Sequence, residues 1–349
     1  MSTPLTIALD AMGGDLAPKM VVRGANIARK RHPDVKFLFY GVEDQIKPLL
    51  DKHKTLRSIS EIRPAETVIT ADEKPSQALR GGRKSSMRLA IDAVSGGEAV
   101  CAVSAGNTGA LMAMAKFVLK TMPGIDRPAI ASFFPTLRGE SVMLDLGANI
   151  QCDAQNLAQF AIMGDVFART VLGTVRPSVG LLNVGSEDLK GSDTLREAAS
   201  ILREASLINF HGFIEGDDIA GGTVDVVVTD GFSGNIALKT AEGTARLYTE
   251  FLRRAFKHSL ITQLGYVFAR PALNKLKSRV DPRRYNGAMF LGLNGICVKS
   301  HGGTDAKGFA NAIGVAIDMY GHGFLGKIRE ELEALQEPQG AVASAAESV

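Results

Sequence analysis

Five apolar runs in this 349-residue chain end in a turn rich in Gly, Asn, Ser or Asp. The segments are Ile7–Asp15, Val103–Gly109, Met143–Asn149, Val228–Asn235 and Val298–Asp305. Glycines let backbone N–H groups converge on a ligand, and Asn and Ser add neutral donors that fix its orientation. Two of the turns run straight into a helical pattern, and a helix N-terminus has unpaired N–H groups and a partial positive charge. The residue types therefore predict that these turns bind an anion such as phosphate.

Each turn taken alone is equally consistent with a structural role, because Gly-Asn and Ser-Gly are common turn and N-cap residues. Five of them at the strand ends of one sheet favour a shared anionic site. A further segment, Leu181–Gly191, runs from an apolar strand into an acidic loop that places Lys190 before the next helix. A lysine there can reach a phosphate or carbonyl oxygen as a mobile point charge, and the alternative is a solvated surface lysine.

Several familiar catalytic motifs are missing. There is no G-x-x-x-x-G-K-[ST] P-loop, and no G-x-G-x-x-G follows the first strand. In the segment Gly231–Gly234 the second glycine comes one residue too early for a nucleophile elbow. The six histidines lack metal-ligand spacing, so we expect no bound metal and no cofactor. Only His301, in a glycine-rich turn, is a candidate for function, with a structural hydrogen bond as the alternative.

Short apolar runs alternate with helical patterns almost throughout the chain. The runs are rich in Val, Ala and Leu, which is typical of buried parallel strands covered by helices on both faces. We therefore predict an α/β fold, a three-layer α/β/α sandwich with a largely parallel sheet. It would form a single domain over residues 1–336, followed by a disordered tail at 337–349. In such sheets ligands bind beyond the carboxyl ends of the strands, where the turns lie.

The composition is 45% apolar and 22% charged, as in a globular protein with a core, and a net charge of +3 does not favour nucleic acid as a partner. Three cysteines without C-x-x-C spacing argue against a disulfide framework and for a reducing compartment. The start of the chain lacks a basic n-region, and no apolar run reaches about 18 residues. We therefore expect a cytoplasmic protein with neither a signal peptide nor a membrane span.

The stretch from Arg253 to Arg284 breaks the alternation and holds nine Lys or Arg against one acid, Asp281. Apolar and basic residues alternate there at helical spacing, which predicts a protruding basic amphipathic helical hairpin, about 256–284, interrupted at Pro271. Such a hairpin can lie on the inner face of an anionic membrane or receive an acidic protein, and a dimer interface or core packing is the alternative. The predicted contact residues are Arg254, Phe256, Lys257, Leu260, Ile261, Leu264, Val267, Phe268 and Arg270.

Taken together, these segments resemble the acyl-[acyl-carrier-protein]:phosphate acyltransferase (PlsX) family of bacterial phospholipid synthesis. The matching motifs are Ala8–Asp15, Ser104–Gly109, Asp145–Asn149, Leu182–Gly185, Asp230–Asn235 and His301–Gly302. They follow in the expected order and are highly specific as a set. The family resembles phosphotransacetylases in chemistry and isopropylmalate dehydrogenases in fold.

The resemblance implies that a long-chain acyl group passes from acyl carrier protein, a small acidic partner, to inorganic phosphate. The product would be an acyl phosphate for phosphatidic acid synthesis, and the protein would be a homodimer. Phosphate is already a competent nucleophile, so the site has only to align it with the thioester and stabilise the oxyanion.

The candidate residues fall into two sets. The candidate catalytic residues are Lys190, Asn235, His301 and Asp145. The candidate substrate-binding residues are Asp10, Gly13, Gly14, Ser104, Asn107, Thr108, Asn149, Asn183, Ser233 and Gly234. Asn107, Ser233 and Asn235 are expected to orient phosphate. Lys190 and His301 are expected to stabilise the charge that develops near the carbonyl. Asp10 and Asp145 are expected to orient these residues.

Three other functions stay open on the sequence. A phosphotransacetylase-like enzyme would use coenzyme A thioesters in place of the carrier protein. An oxidoreductase on the same fold is disfavoured by the missing glycine fingerprint. A non-catalytic scaffold could dock lipid enzymes at the membrane through residues 256–284, but it would have no need for five turns suited to binding an anion.

Overall fold

A computed structural model of the protein describes residues 5–279, 281, 283 and 286–336. The predicted tail, 337–349, lies outside them, as do residues 280, 282, 284 and 285 of the predicted hairpin. The strands are β1 (Leu5–Asp10), β2 (Val35–Gly41), β3 (Ser60–Pro64), β4 (Cys101–Ser104), β5 (Ala129–Pro135), β6 (Glu140–Leu144), β7 (Ser178–Leu182), β8 (Asn209–Ile214), β9 (Val226–Val228), β10 (Ala288–Leu291) and β11 (Ile296–Lys299). The helices are α1 (Lys19–Arg31), α2 (Glu43–Leu50), α3 (Lys54–Arg57), α4 (Pro75–Gly81), α5 (Ser86–Ser95), α6 (Thr108–Leu119), α7 (Ala154–Phe167), α8 (Asp193–Glu204), α9 (Gly216–Gly221), α10 (Gly231–Lys257), α11 (Leu260–Arg279), α12 (Ala306–Gly321) and α13 (Phe324–Gln336).

The eleven strands of the described chain form one sheet, in the order β3-β2-β1-β4-β11-β10-β5-β6-β9-β7-β8. Strands β3, β2, β1, β4 and β11 pair in parallel and form what we call the first block. Strands β6, β9, β7 and β8 also pair in parallel and form the second block. The three pairings between the blocks, through β10 and β5, are antiparallel. The predicted largely parallel α/β fold is therefore confirmed. Because there are three reversals, the strands of the second block run opposite to those of the first.

One row of paired residues crosses the sheet at the carboxyl ends of both blocks. It runs through Leu9, Val103, Val298, Met289, Ala131, Leu144, Val228 and Leu181. The two opposed blocks therefore end at the same level of the sheet, with β10 and β5 between them. Their turns leave this level in opposite directions. Strands β11 and β6, which lie on either side of β10 and β5, are three strand spacings apart, about 14 Å.

Helices cover both faces of the sheet, because successive strand residues point to opposite faces and both sets are apolar. In β6, Leu144 packs in the same core cluster as Phe160 of α7. Its neighbour Met143 packs on the other face, in a cluster with Leu111 of α6. These two helix layers with the sheet between them make the three-layer sandwich that the sequence predicts.

The sequence pattern predicts a helix over 154–172 and another that begins at Asn235, and the structure changes one boundary of each. The predicted helix 154–172 ends as α7 at Phe167 and continues as a π-helical turn, Ala168–Leu172, that stops at Gly173 with φ 71°. The helix predicted to begin at Asn235 begins at Gly231, because the side chain of Asp230 caps it.

The predicted break at Pro271 is wrong, since α11 continues through this residue. A proline removes one backbone hydrogen bond from a helix, and the other turns of this 20-residue helix remain formed. The rings of Phe256 in α10 and Tyr266 in α11 make an edge contact with their centroids 5.5 Å apart. Most of the side chains described in α11 are exposed.

Candidate functional site

Asp10, at the end of β1, organises the turns of the first block. Its carboxylate is 1% exposed and accepts hydrogen bonds from the hydroxyls of Ser104 at 2.6 Å and Ser86 at 2.7 Å. The backbone N–H of Met12 donates a third bond at 3.3 Å. Burial raises the pKa of Asp10, and the hydrogen bonds from Ser104 and Ser86 oppose that rise. Asp10 and Ser104 therefore tie the ends of β1 and β4 together.

Gly13 and Gly14 bring the turn after β1 against the turns after β4 and β11. A Cβ on Gly13 would lie 2.7 Å from the amide nitrogen of Gly106, and one on Gly14 would lie 3.1 Å from the carbonyl oxygen of Gly302. The φ of Gly14, 102°, also disfavours any residue with a side chain. The N–H of Asp15 donates to the carbonyl of Gly302 at 3.0 Å. These three turns form one compact group.

Asn107 holds this group to the segment before α4. Its Oδ1 accepts from the N–H of Ala110 at 3.0 Å and caps α6. Its Nδ2 donates to the carbonyl oxygens of Ala71 and Glu73, both at 2.9 Å. A primary amide has two N–H donors, and both are used here. The side chain of Asn107 is therefore committed to the fold, while Thr108, the first residue of α6, is exposed.

Lys299, the last residue of β11, belongs to the same group, although the sequence did not single it out. It is 8% exposed, and its ammonium contacts the carbonyl oxygen of Ala105 at 3.5 Å and that of Ser300. Burial lowers the pKa of Lys299 to about 8, while the negative charges of Asp10 and Asp15 act in the opposite direction. The signal that could have revealed it is a single lysine at the end of an otherwise apolar strand.

Asp145, which follows β6, plays the corresponding part in the second block. It is 0% exposed, and its Oδ1 accepts from the N–H groups of Ile130, Gly147 and Ala148 at 2.9, 3.2 and 3.1 Å. Its Oδ2 accepts from the N–H and the Nδ2 of Asn149 at 2.7 and 2.9 Å. Burial raises the pKa of Asp145, and these hydrogen bonds oppose the rise. Five donors on one carboxylate fix the turn from Asp145 to Asn149.

The helix α10 begins directly beside that turn. The carboxylate of Asp230 accepts from the N–H of Ser233 at 2.9 Å and from its hydroxyl at 2.8 Å. A Cβ on Gly234 would lie 2.0 Å from the carbonyl oxygen of Asp145, so the helix and the turn are in backbone contact. The hydroxyl of Ser233 is therefore engaged in the cap, and the helix N-terminus is held at the end of β6.

Asn235 and Lys190 are exposed candidates in this second group. The Cγ of Asn235 lies 3.7 Å from where a Cβ on Gly147 would be. Lys190 lies in the loop after β7, where the Nδ2 of Asn183 donates to the Lys190 carbonyl oxygen at 3.2 Å. Within the part of the chain that the structure describes, neither the Asn235 amide nor the Lys190 ammonium has a hydrogen bond or ion pair. Both are open to a ligand.

The structure thus divides the predicted site residues into two groups. The first contains Asp10, Gly13, Gly14, Ser104, Asn107, Thr108 and His301. The second contains Asp145, Asn149, Asn183, Lys190, Ser233, Gly234 and Asn235. The turns do not share one edge of the sheet, because the antiparallel pairings of β10 and β5 reverse the second block.

The helix α10 connects the two groups. It starts in the second group and has 27 residues, a length of about 40 Å. Partial burial lowers the pKa of His301, and the positive charges of Lys299 and of Lys239 and Arg246 in α10 lower it further. The helix therefore passes close enough to the first group for its charges to act on His301, although its start is fixed at Asp145.

Exposed apolar side chains surround the second group. They are Ile150, Val184, Leu189, Phe232 and Ile236. A groove of about 480 Å³ opens beside Asp230 and Ser233 and is also lined by Leu157, Leu195 and Phe232. Polar donors bordered by apolar surface suit a ligand with an anionic end and a hydrocarbon chain.

Within the described residues, no group of three or more His, Cys, Asp or Glu is placed to hold a metal ion. The three cysteines are free thiols. Burial raises the pKa of Cys152 to about 11 and that of Cys297 to about 12, and it also raises the pKa of Cys101. None of the helices in the described ranges is both long and apolar enough to cross a membrane.

The α/β fold of this chain is similar to that of solved phosphotransacylases. A phosphotransacetylase from Streptococcus pyogenes has the same fold, with a TM-score of 0.63 at 18% identity over 91% of this chain and 94% of that one. Sequence comparison then identifies the family. A family model described as "Fatty acid synthesis protein" matches residues 5–327.

The relatives carry one name. The phosphate acyltransferase of Rhodospirillum centenum is 68% identical over 349 residues, which is 100% of this chain and 98% of the relative. That of Paramagnetospirillum magneticum is 60% identical over 337 residues, 96% of each chain. The chain therefore belongs to the phosphate acyltransferase (PlsX) family and is an acyltransferase whose acceptor is phosphate. The predicted family and enzyme class are confirmed.

Proposed function

We propose that this acyltransferase moves a long-chain fatty acyl group from acyl carrier protein to inorganic phosphate, and that the acyl phosphate serves phospholipid synthesis. The observation that carries the proposal is the pair of open donors, Asn235 and Lys190, after the neighbouring strands β9 and β7. The apolar side chains around them offer a surface for the fatty chain. Phosphate would bind between these donors with the thioester carbonyl beside it.

The chemical step needs no group other than phosphate as the nucleophile. A phosphate oxygen attacks the thioester carbonyl and forms a tetrahedral oxyanion. Its collapse breaks the C–S bond and releases the carrier thiolate, which takes a proton from water. Asn235, the fifth residue of α10, would orient phosphate, and Lys190 would stabilise the oxyanion.

An acyl-enzyme route is less favourable on this chain. The reactive form of cysteine is the thiolate, and burial raises the pKa of Cys152, the cysteine nearest the second group, to about 11. The hydroxyl of Ser233 is bound to Asp230. Asp145 is saturated with hydrogen bonds from its own turn, so its part is to position that turn.

The exposed faces of α10 and α11 support a docking role for the predicted hairpin. Leu260 and Ile261 are both 84% exposed at the start of α11. Arg254 pairs with Glu250, but Lys257 and Arg270 have no ion pair among the described residues. We propose that this surface contacts the acidic carrier protein or the anionic inner face of the membrane, in a cytoplasmic homodimer.

The catalytic part of the proposal is tested by following free thiol released from acyl carrier thioester with and without phosphate. Release should require phosphate, and Lys190→Ala and Asn235→Ala should each lower kcat by at least about tenfold, because one oxyanion donor typically contributes about 10²–10³. Lys52→Ala, which removes an exposed lysine far from Lys190 and Asn235 in the sequence, is the matched control. Near-normal rates in both site variants would remove these residues from the mechanism. The same assay with acyl-coenzyme A separates the phosphotransacetylase-like alternative.

The membrane contact is tested by liposome flotation. The protein should float with anionic vesicles and remain in the soluble fraction with neutral ones. Replacing the two exposed residues, Leu260→Asp with Ile261→Asp, should abolish flotation while leaving thiol release from a soluble substrate intact. A protein that never floats has no such contact, and the surface would then serve the carrier protein or a second copy of the chain.

A further inference from the structure

The first group of turns contains a buried cation that the proposed reaction does not use. Lys299 is 8% exposed, and its ammonium has two recorded contacts, both with backbone carbonyl oxygens. Removing an ammonium from water costs several kcal/mol unless an opposite charge compensates it. Among the described residues Lys299 forms no ion pair, so the compensation is incomplete.

The two acids within electrostatic reach of Lys299 do not fill this role. Both oxygens of Asp10 accept hydroxyl hydrogen bonds, from Ser86 and Ser104, and are held in that network. Asp15 is exposed and lies against Gly303. Their negative charges act on Lys299, yet burial still dominates and leaves its pKa at about 8. The ammonium therefore has room for an anionic partner from outside the chain.

The turns after β1 and β11 lie against Ala105, whose carbonyl oxygen Lys299 contacts: a Cβ on Gly14 would be 2.9 Å from the Ala105 Cβ, and one on Gly302 would be 3.5 Å from the Ala105 oxygen. The N–H groups of Gly14, Thr108 and Gly302 have no acceptor among the residues that the structure describes. Gly14 follows β1, Gly302 follows β11, and Thr108 begins α6, a 12-residue helix whose N-terminus carries a partial positive charge. Backbone N–H groups without an acceptor, in turns next to a lysine, are a recurrent arrangement for binding phosphate groups.

We propose that Lys299 and these N–H groups form a second oxyanion site, which takes a phosphate group and is separate from the Asn235 and Lys190 site. Lys299 ends β11, and Asn235 follows β9, which lies four strand spacings, about 19 Å, across the sheet. One phosphate ion cannot contact both. The bound group is either free inorganic phosphate or the phosphate ester on the pantetheine arm of the thioester substrate. The second source rests on the proposed function, and the first does not.

Gly302 offers a way to block this site without disturbing the fold. A Cβ on Gly302 would meet nothing closer than the carbonyl oxygen of Ala105 at 3.5 Å and Asp15 Oδ1 at 3.8 Å, which are ordinary contacts. Gly302→Val should therefore be tolerated at its Cβ, and its methyl groups would crowd the space beside the Gly302 N–H. It complements Lys299→Met, which removes the cation, and Lys299→Arg, which keeps it.

The test is titration calorimetry of the full chain, which requires no turnover. The probes are inorganic phosphate, 4′-phosphopantetheine and pantetheine, and the last lacks the phosphate group. Lys299→Met and Gly302→Val should each weaken one of the two phosphate-bearing probes by at least about tenfold, while Lys299→Arg stays within about threefold of wild type. The control Lys52→Met should bind both as wild type does.

The calorimetric results distinguish free inorganic phosphate from the phosphate ester of the pantetheine arm. Loss confined to inorganic phosphate assigns the site to the free ion, and loss confined to 4′-phosphopantetheine, with pantetheine unchanged, assigns it to the arm. If Lys299→Met and Gly302→Val keep wild-type affinity for both, or if the wild-type protein binds neither probe, the proposal is overturned. Should Lys299→Met fail to fold, Gly302→Val gives the same answer. A protein that binds phosphate here but releases no thiol would refute the acyl transfer proposal alone.

Discussion

Replacing Asp145 by Asn probes how strongly the second group depends on one carboxylate. The change keeps the shape of the side chain but turns one acceptor oxygen into an NH2 donor. The remaining oxygen can serve the N–H groups of Ile130, Gly147 and Ala148, or the two donors of Asn149, but not both sets. At least two buried donors lose their acceptor, at about 1–3 kcal/mol each, so the free energy of unfolding should fall by about 2–6 kcal/mol.

Urea unfolding followed by circular dichroism measures that loss, and phosphate-dependent thiol release measures kcat on the same samples. Because the Asp145 turn holds the start of α10, kcat should also fall among the molecules that remain folded. Asp153→Asn is the control. Asp153 caps α7 by accepting from the N–H of Asn156 at 2.8 Å, and Asn caps helices as well as Asp does, so both readouts should stay near wild type. An Asp145→Asn protein with wild-type unfolding and normal kcat would show that the carboxylate does not organise the site.

Three further predictions concern single positions. Gly234→Ala puts a Cβ 2.0 Å from the Asp145 carbonyl oxygen and should lower the free energy of unfolding by about 3 kcal/mol or more. Gly243→Ala in the same helix meets nothing within 4 Å and should raise it by up to about 1 kcal/mol, so the melting temperatures of the two variants should shift in opposite directions. Oxyanion affinity at Lys299 should decline as the pH rises through about 8, where the ammonium loses its proton, and Lys299→Arg should remove that decline in calorimetry. Burial raises the pKa of Asp165 to about 6, so between pH 4 and 6 the folded state binds more protons than the unfolded one. The free energy of unfolding should therefore fall as the pH rises through that range. In Asp165→Asn the midpoint of urea unfolding should change less with pH over the same range.

The elements of the fold could be predicted because their signals are local. The apolar run ending at Asp10 is β1, and the apolar run ending at Ser104 is β4. The sequence predicts the start of α10 four residues late, because Gly231 and Gly234 are poor helix formers and only the cap by Asp230 marks where the helix begins. The sequence does not predict that α11 continues through Pro271, because tolerance of a proline depends on the rest of the helix.

The functional groups of the site were harder to assign, because a side chain's partners are set by distant segments. Asn107 looked like a phosphate ligand, yet its amide donors are used by carbonyl groups of the segment before α4. Lys299 looked like the end of a strand, yet burial between the turns after β4 and β11 makes it a candidate anion partner. Neither outcome can be read from residue type and spacing.

The sequence by itself determined the α/β alternation, the donor-rich turns at the strand ends and the family, because each depends on residues that are close together in the chain or on their order. Only the tertiary structure decided that the turns form two groups. Three antiparallel pairings reverse the second block: β11 with β10 and β5 with β6 join strands that are consecutive in the chain, and β10 with β5 joins strands from distant parts of it. Pairing over such sequence separations is set by packing of the whole sheet, and no local pattern encodes it.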